Sequence, residues 1–181
     1  CVAYAANDEG SISISLTPIA EVGAGGRPQV CYFKDFKSSG TSGGTFNSGS
    51  WVTRDLNTVN KTGLTTSSTC PFATLSGNVI TANAGTYEIS GHALGHNVDK
   101  HKARFRNTTD GTTVIVGTTA RADSASGSSE SFLHGKTTIT SSKNFELQHQ
   151  CETSKASTGF GLAAGLGESE LYSEIIMTRY E

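Results

Sequence analysis

The sequence predicts an all-β, antiparallel sandwich or barrel, and three observations lead there. Gly, Ser and Thr fill 68 of 181 positions, at 21, 23 and 24, a composition poor in strong helix formers. β-branched and aromatic residues nonetheless recur in short runs of period two, which a disordered chain of this length lacks. Clusters of Gly, Ser, Thr and Asn separate those runs, as turns separate the strands of an antiparallel sheet.

In chain order, the first candidate strand is 11–16, where Ser-Ile-Ser-Ile-Ser-Leu alternates cleanly. Residues 30–36 and 51–59 follow as runs rich in aromatic and β-branched side chains. Runs 73–75 and 79–82 flank Ser76-Gly77-Asn78, a turn signal. In 85–94, Tyr87, Ile89, Gly91 and Ala93 point one way and Thr86, Glu88, Ser90 and His92 the other, so one face is core and one is polar. Runs 103–107 and 112–122 lie either side of Asp110-Gly111, read as a tight hairpin turn. Strands 131–139, 144–151 and 171–180 complete the series. The last has apolar groups on both faces, Leu171, Ile175 and Met177 against Tyr172, Ile176 and Tyr180. Something must pack outside such a strand, most simply another subunit.

The length suits one domain with its own core. Gly23-Ala24-Gly25-Gly26-Arg27-Pro28 reads as a linker, so residues 1–26 are expected to be an N-terminal arm and 27–181 the folded head. Three polar stretches, 38–50, 123–130 and 153–167, hold almost nothing fit for a core and are expected to be surface loops. A formal net charge of −2 gives no electrostatic reason to expect nucleic acid or an anionic membrane as partner. No apolar run reaches the roughly 20 residues of a membrane-spanning helix. Cys1, Cys31, Cys70 and Cys151 are widely spaced and form no CxxC pair, so a cysteine-based metal site is not expected. Their three possible full pairings stay open, as does the option of free thiols.

Four segments carry a resemblance when taken in order: Ala84-Gly85-Thr86-Tyr87-Glu88-Ile89, then 101–111 (His-Lys-Ala-Arg-Phe-Arg-Asn-Thr-Thr-Asp-Gly), then 145–152 (Phe-Glu-Leu-Gln-His-Gln-Cys-Glu), then 171–175 (Leu-Tyr-Ser-Glu-Ile). Together they resemble the globular heads of the tumour necrosis factor and complement type, closest to those of phage tail fibres and related virion or bacterial surface proteins. The resemblance spans about residues 30–181. It implies a ten-strand jelly roll, assembled as a homotrimer with the last strand in the sheet facing the axis, and located on a virion surface or outside the cell. Tyr172, Ile176, Tyr180 and His92 are then expected at the trimer contact.

His92, His96 and His101 fall close together with Asp99 among them, but their spacing fits no ligand rule, so no metal is expected. Residues 95–100 read instead as a polar connection, with His101 and Arg104 hydrogen-bonding at a strand edge or subunit contact. No Gly-x-Ser-x-Gly elbow, phosphate loop or dinucleotide fingerprint is present, so neither catalysis nor a cofactor is expected. Trp51, the only tryptophan, can stack on a sugar ring or turn into a core or interface. His96, Asp99, His101 and Trp51 are the ligand-binding candidates. The expected function is a non-enzymatic trimeric recognition head that binds a host cell-surface glycan or protein. The alternative is a structural decoration or fibre subunit, assembling through its arm and its trimer contacts.

Overall fold

The computed structural model describes residues 28–61 and 69–180, together with two short strands near the N-terminus. Those two, β1 (Tyr4–Ala6) and β2 (Ile12–Ile14), pair antiparallel with Tyr4 opposite Ile14. The rest of the expected arm lies outside the described residues. Eleven strands follow: β3 (Gln29–Lys37), β4 (Val52–Thr53), β5 (Thr58–Lys61), β6 (Ala73–Ser76), β7 (Val79–Ala82), β8 (Gly85–His96), β9 (Asp99–Asn107), β10 (Thr112–Ala122), β11 (Ser128–Ile139), β12 (Lys143–Cys151) and β13 (Glu170–Tyr180). They make two antiparallel sheets, one ordered β11-β8-β13-β3-β5 and one β10-β9-β12-β7-β6, with β4 also pairing β12. This is the TNF-like jelly roll. Among the described residues there is no helix, hence none long and apolar enough to cross a membrane.

Period-two alternation makes the main core. Cys31 and Phe33 of β3, Tyr87, Ile89 and Ala93 of β8, Ala103 and Phe105 of β9, Phe145 and Leu147 of β12, and Ile175 and Met177 of β13 are fully buried between the sheets. Phe105 and Phe145 stack with centroids 5.1 Å apart. Of the open cysteine pairings, Cys31–Cys70 forms, tying residues 39 apart in sequence, while Cys151 is a buried free thiol. The β6–β7 turn is a two-residue hairpin in which Gly77 and Asn78 both take positive φ, 55° and 69°, as a type I′ turn demands.

Several expectations are corrected. The run 51–59 is two strands: β4 pairs with β12 and β5 with β3, so the chain changes sheets between them. Arg54 and Leu56 are buried at that crossing. The Asp110-Gly111 turn is a four-residue loop, pinned by Asn107 Oδ1 accepting from the Asp110 amide at 3.0 Å. Loops 38–50 and 153–167 each send one aromatic inward, Phe46 and Phe160, which meet 4.7 Å apart and build a second cluster with Val98, Ala122 and Cys151.

The last strand is bulged between Leu171 and Glu174, so Tyr172 and Ser173 are both buried and the parity of the strand changes there. Tyr172 therefore belongs to the interior and not to the outer face assigned to it. Its hydroxyl donates to the Thr41 carbonyl at 2.8 Å, and burial pushes its pKa up to about 12. Leu171, expected inside, is 37% exposed.

Candidate functional site

The connection 95–100 is tighter than a polar loop. His96 ends β8 and Asp99 begins β9, so only Asn97 and Val98 carry the chain from one sheet to the other. Asn97 and Asp99 adopt positive φ, 54° and 57°, a backbone that Asn and Asp accept better than most residues. Asn97 Oδ1 accepts from the Gly127 amide at 2.8 Å, and the Val98 amide donates to the Ala122 carbonyl. Asp99 accepts from the Thr153 hydroxyl at 2.6 Å and from the Ser124 amide, and these bonds hold its pKa below the usual carboxylate range. Loops 123–130 and 153–167 are thereby drawn to the same end. Loop 38–50 joins them through Glu170, whose carboxylate accepts from the amides of Gly40, Ala164 and Gly165. A side chain at Gly161 would run into the Tyr172 ring, so the loop closes over that tyrosine only with glycine there.

Beneath these loops lies a polar interior. Arg54 is fully buried, its Nη1 donating to the Leu94 carbonyl and its Nη2 to those of Phe160 and Tyr172, with the Phe160 ring 4.0 Å from its guanidinium carbon. Burial lowers its pKa to about 10 while Asp35 and Asp55 pull it back up, so it stays charged at neutral pH. His101 and His149 are buried beside it, Nδ1 to Nε2 at 2.9 Å, and His101 Nε2 meets Ser129 Oγ at 2.8 Å. The second nitrogen of His149 has no hydrogen-bond partner. Burial first, then Arg54, lowers the pKa of His101 to about 4, and His149 is lowered by burial, Arg54 and His101.

The four ligand-binding candidates do not form one site. Trp51 lines a groove of about 320 Å³ on the outside of the six-stranded sheet with Lys100, Lys102, Thr119 and Gln150; His101 and Cys151 border it, but their side chains are buried on the inner face. His96 stands apart, on the side of β8 that His92 shares, with Nδ1 2.8 Å from Ser128 Oγ. Asp99 serves the turn. Among the described residues, no three of His, Cys, Asp and Glu come together as a metal-ligand set.

Alternation on β9 sends Lys100, Lys102, Arg104 and Arg106 to the outer face and His101, Ala103, Phe105 and Asn107 inward. The sequence shows this row, yet whole-chain net charge concealed it. Arg104 lies 4.1 Å over the Trp51 ring and donates from Nε and Nη2 to Gln148 Oε1 at 2.9 and 2.7 Å. Burial, followed by Arg106, lowers its pKa.

The outer face of the five-stranded sheet differs. Ile176 is flanked by Tyr32 and Ser90, and Phe132, 54% exposed, sits opposite His92. Tyr180 is 45% exposed and donates to Glu88 Oε2 at 2.6 Å. Lys34 is paired here with Glu174 at 3.0 Å, His92 Nε2 lies 4.0 Å from Glu130, and Lys136 stands 5.9 Å over the Tyr180 ring.

No known protein family matches the sequence, and no curated protein does. Solved structures do. Murine APRIL at pH 5.0 aligns with a TM-score of 0.50 and 9% identity, covering 84% of this chain and 99% of its own. The same protein at pH 8.5 and pH 8.0 aligns over the same shares with TM-scores of 0.48 and 0.47 and identities of 10% and 9%. At such identity the likeness, carried by the pH 5.0 structure, is one of fold: the TNF-like jelly roll.

Proposed function

We propose that the chain is a non-catalytic, homotrimeric recognition head of a phage fibre, virion or bacterial surface protein, binding a host surface glycan or protein through the loops gathered at one end. The observation that carries this reading is the outer face of the five-stranded sheet. Tyr32, Ile176, Phe132 and Tyr180 lie there, beside Lys34 and Glu174, which are already paired within the chain. A sheet face that carries several large apolar side chains among polar ones suits self-association. Ile176, Tyr180 and His92 remain in the proposed contact, and Tyr32 and Phe132 join it in place of Tyr172.

The loops support recognition because their backbone is fixed in advance by Glu170, Asp99 and Arg54, which lowers the ordering cost of binding. Their small side chains offer hydroxyl and backbone groups, so three copies acting together would supply the avidity. A Cys31–Cys70 disulfide fits an extracellular or virion-surface location. Ser129 and His101 touch, but a buried imidazole with a pKa near 4, backed by a second neutral histidine and no carboxylate, is a poor general base. The Cys151 thiol, pushed up to about 11 by burial, is a poor nucleophile.

The test is sedimentation of the full chain beside Ile176→Asp and Phe132→Asp, with binding to host cells measured in parallel. A trimer for the parent chain, monomers for the variants and a loss of cell binding on dissociation are expected. A parent chain that sediments as a monomer at micromolar concentration overturns the reading.

A further inference from the structure

We infer that the outer face of the six-stranded sheet is a binding surface for an anionic polysaccharide, seated along β9 over Lys102, Arg104 and Arg106. This goes beyond the recognition reading: the surface lies on the other sheet from Ile176 and away from the loops, and its binding does not require the trimer. Antiparallel strands place every second side chain about 6.8 Å apart, so the three cations form a row about 14 Å long. Among the described residues none of the three has a carboxylate within salt-bridge distance, whereas Lys100 is paired with Glu152 at 2.9 Å and Arg121 with Asp123 at 3.6 Å. The neighbours across the strands are mostly uncharged. Lys102 lies between Thr119 and Gln150, Arg104 between Val116 and Gln148, and Arg106 between Thr113 and Glu146. Glu146 is occupied in turn, its Oε2 accepting from Thr53 and Gln148.

Three like charges in a row, none of them in an ion pair, repel one another, and a bound polyanion relieves that repulsion. Arg104 is already immobilised between Gln148 and the Trp51 ring, so it can meet a sulfate or carboxylate with little loss of freedom. The groove beside it offers Thr119 and Gln150, neutral hydrogen-bonding groups suited to sugar hydroxyls. Nucleic acid fits less well. Arg104 covers one face of the only tryptophan ring, which takes up part of the platform on which bases would stack, and Glu152, paired with Lys100, stands at one end of the row.

The test uses that tryptophan as reporter, because its fluorescence arises beside the row. The full chain is titrated with dextran sulfate, polygalacturonate, neutral dextran and single-stranded DNA at two salt concentrations. Saturable binding of dextran sulfate or polygalacturonate, weakened by salt, with no response to neutral dextran, is expected. Lys102→Gln, which breaks no hydrogen bond or ion pair, should weaken it about two- to fivefold, and replacing Lys102, Arg104 and Arg106 together by Gln more than tenfold. Lys136→Gln on the other sheet should change nothing. Absence of binding to both anionic polysaccharides, binding indifferent to Lys102→Gln and the triple variant, or equal binding of DNA with the same losses each overturns the inference. Failure here leaves the trimer and cell-binding measurements untouched, and their failure leaves this one standing.

Discussion

The main core and the smaller cluster under the loops are two interiors built by different rules. The first is apolar throughout, fed by every second residue of the strands, and closed on one side by Cys31–Cys70. The second has five apolar members, Phe46, Val98, Ala122, Cys151 and Phe160, and adjoins Arg54, His101 and His149. Apolar burial is non-directional and tolerates exchange of like for like. A buried guanidinium bonded to three carbonyls is directional and tolerates little. Loops made mostly of Gly, Ser and Thr hold a defined shape because polar groups under them fix their backbone where side-chain packing is too sparse.

The largest effect that can break this comparison is Arg54→Ala. It strips the donor from the Leu94, Phe160 and Tyr172 carbonyls and leaves the buried Asp35 with Lys37, 3.1 Å away, as its remaining countercharge. A loss of about 3–5 kcal/mol is expected in urea unfolding, the range for breaking a buried charged network. Leu147→Ala in the main core should cost a similar amount, about 2–5 kcal/mol. Hydrogen exchange tells them apart: Arg54→Ala should deprotect the Gly43 and Gly161 amides, which Leu147→Ala should leave protected. Equal deprotection by both would make the two interiors one unit.

The disulfide tests the other side. Reduction, or Cys31→Ser with Cys70→Ser, removes a loop closure over 39 residues and should cost at most about 4 kcal/mol. Its effect should be confined to the main core, leaving loop amides and any acid sensitivity unchanged. A matching loss of loop protection would sink the separation.

How far the sequence reveals each interior follows from the same physics. Strands such as β7 and β10 appear with the expected bounds because alternation is a local signal. Phe46 and Phe160 are isolated aromatics in polar stretches, so no periodicity marks them as core; they meet only because the chain brings two distant loops together. Arg54 reads as a surface residue in any local window, since only tertiary carbonyls satisfy it. Tyr172 was misplaced by one bulge, which alternation alone cannot register. The basic row of β9 was open to view in Lys-His-Lys-Ala-Arg-Phe-Arg, but a net charge of −2 averages it away.

The smallest effect separates the interiors by pH. His101 and His149 are held neutral in the fold and titrate near 6.5 when exposed, so their folded pKa values are depressed. As pH falls below about 6.5 the unfolded chain takes up protons that the folded one refuses, and stability is lost down to the folded value, about 4 for His101. Glu170, held low chiefly by the Gly165, Gly40 and Ala164 amides, loses its contribution only below about 4.5. Asp35 has its pKa raised by burial and works in the opposite sense, gaining a proton more readily in the fold as pH falls. Between pH 7 and pH 5 the histidine pair should therefore dominate, each imidazole contributing a loss on the order of 2 kcal/mol in urea unfolding. His149→Gln removes one titrating group and should flatten that loss, while the disulfide-free variant keeps the parent slope on a lower baseline. Unfolding midpoints of the parent chain that coincide at pH 7 and pH 5 would mean that the buried imidazoles reach solvent, and the second interior would then be no more closed than the loops above it.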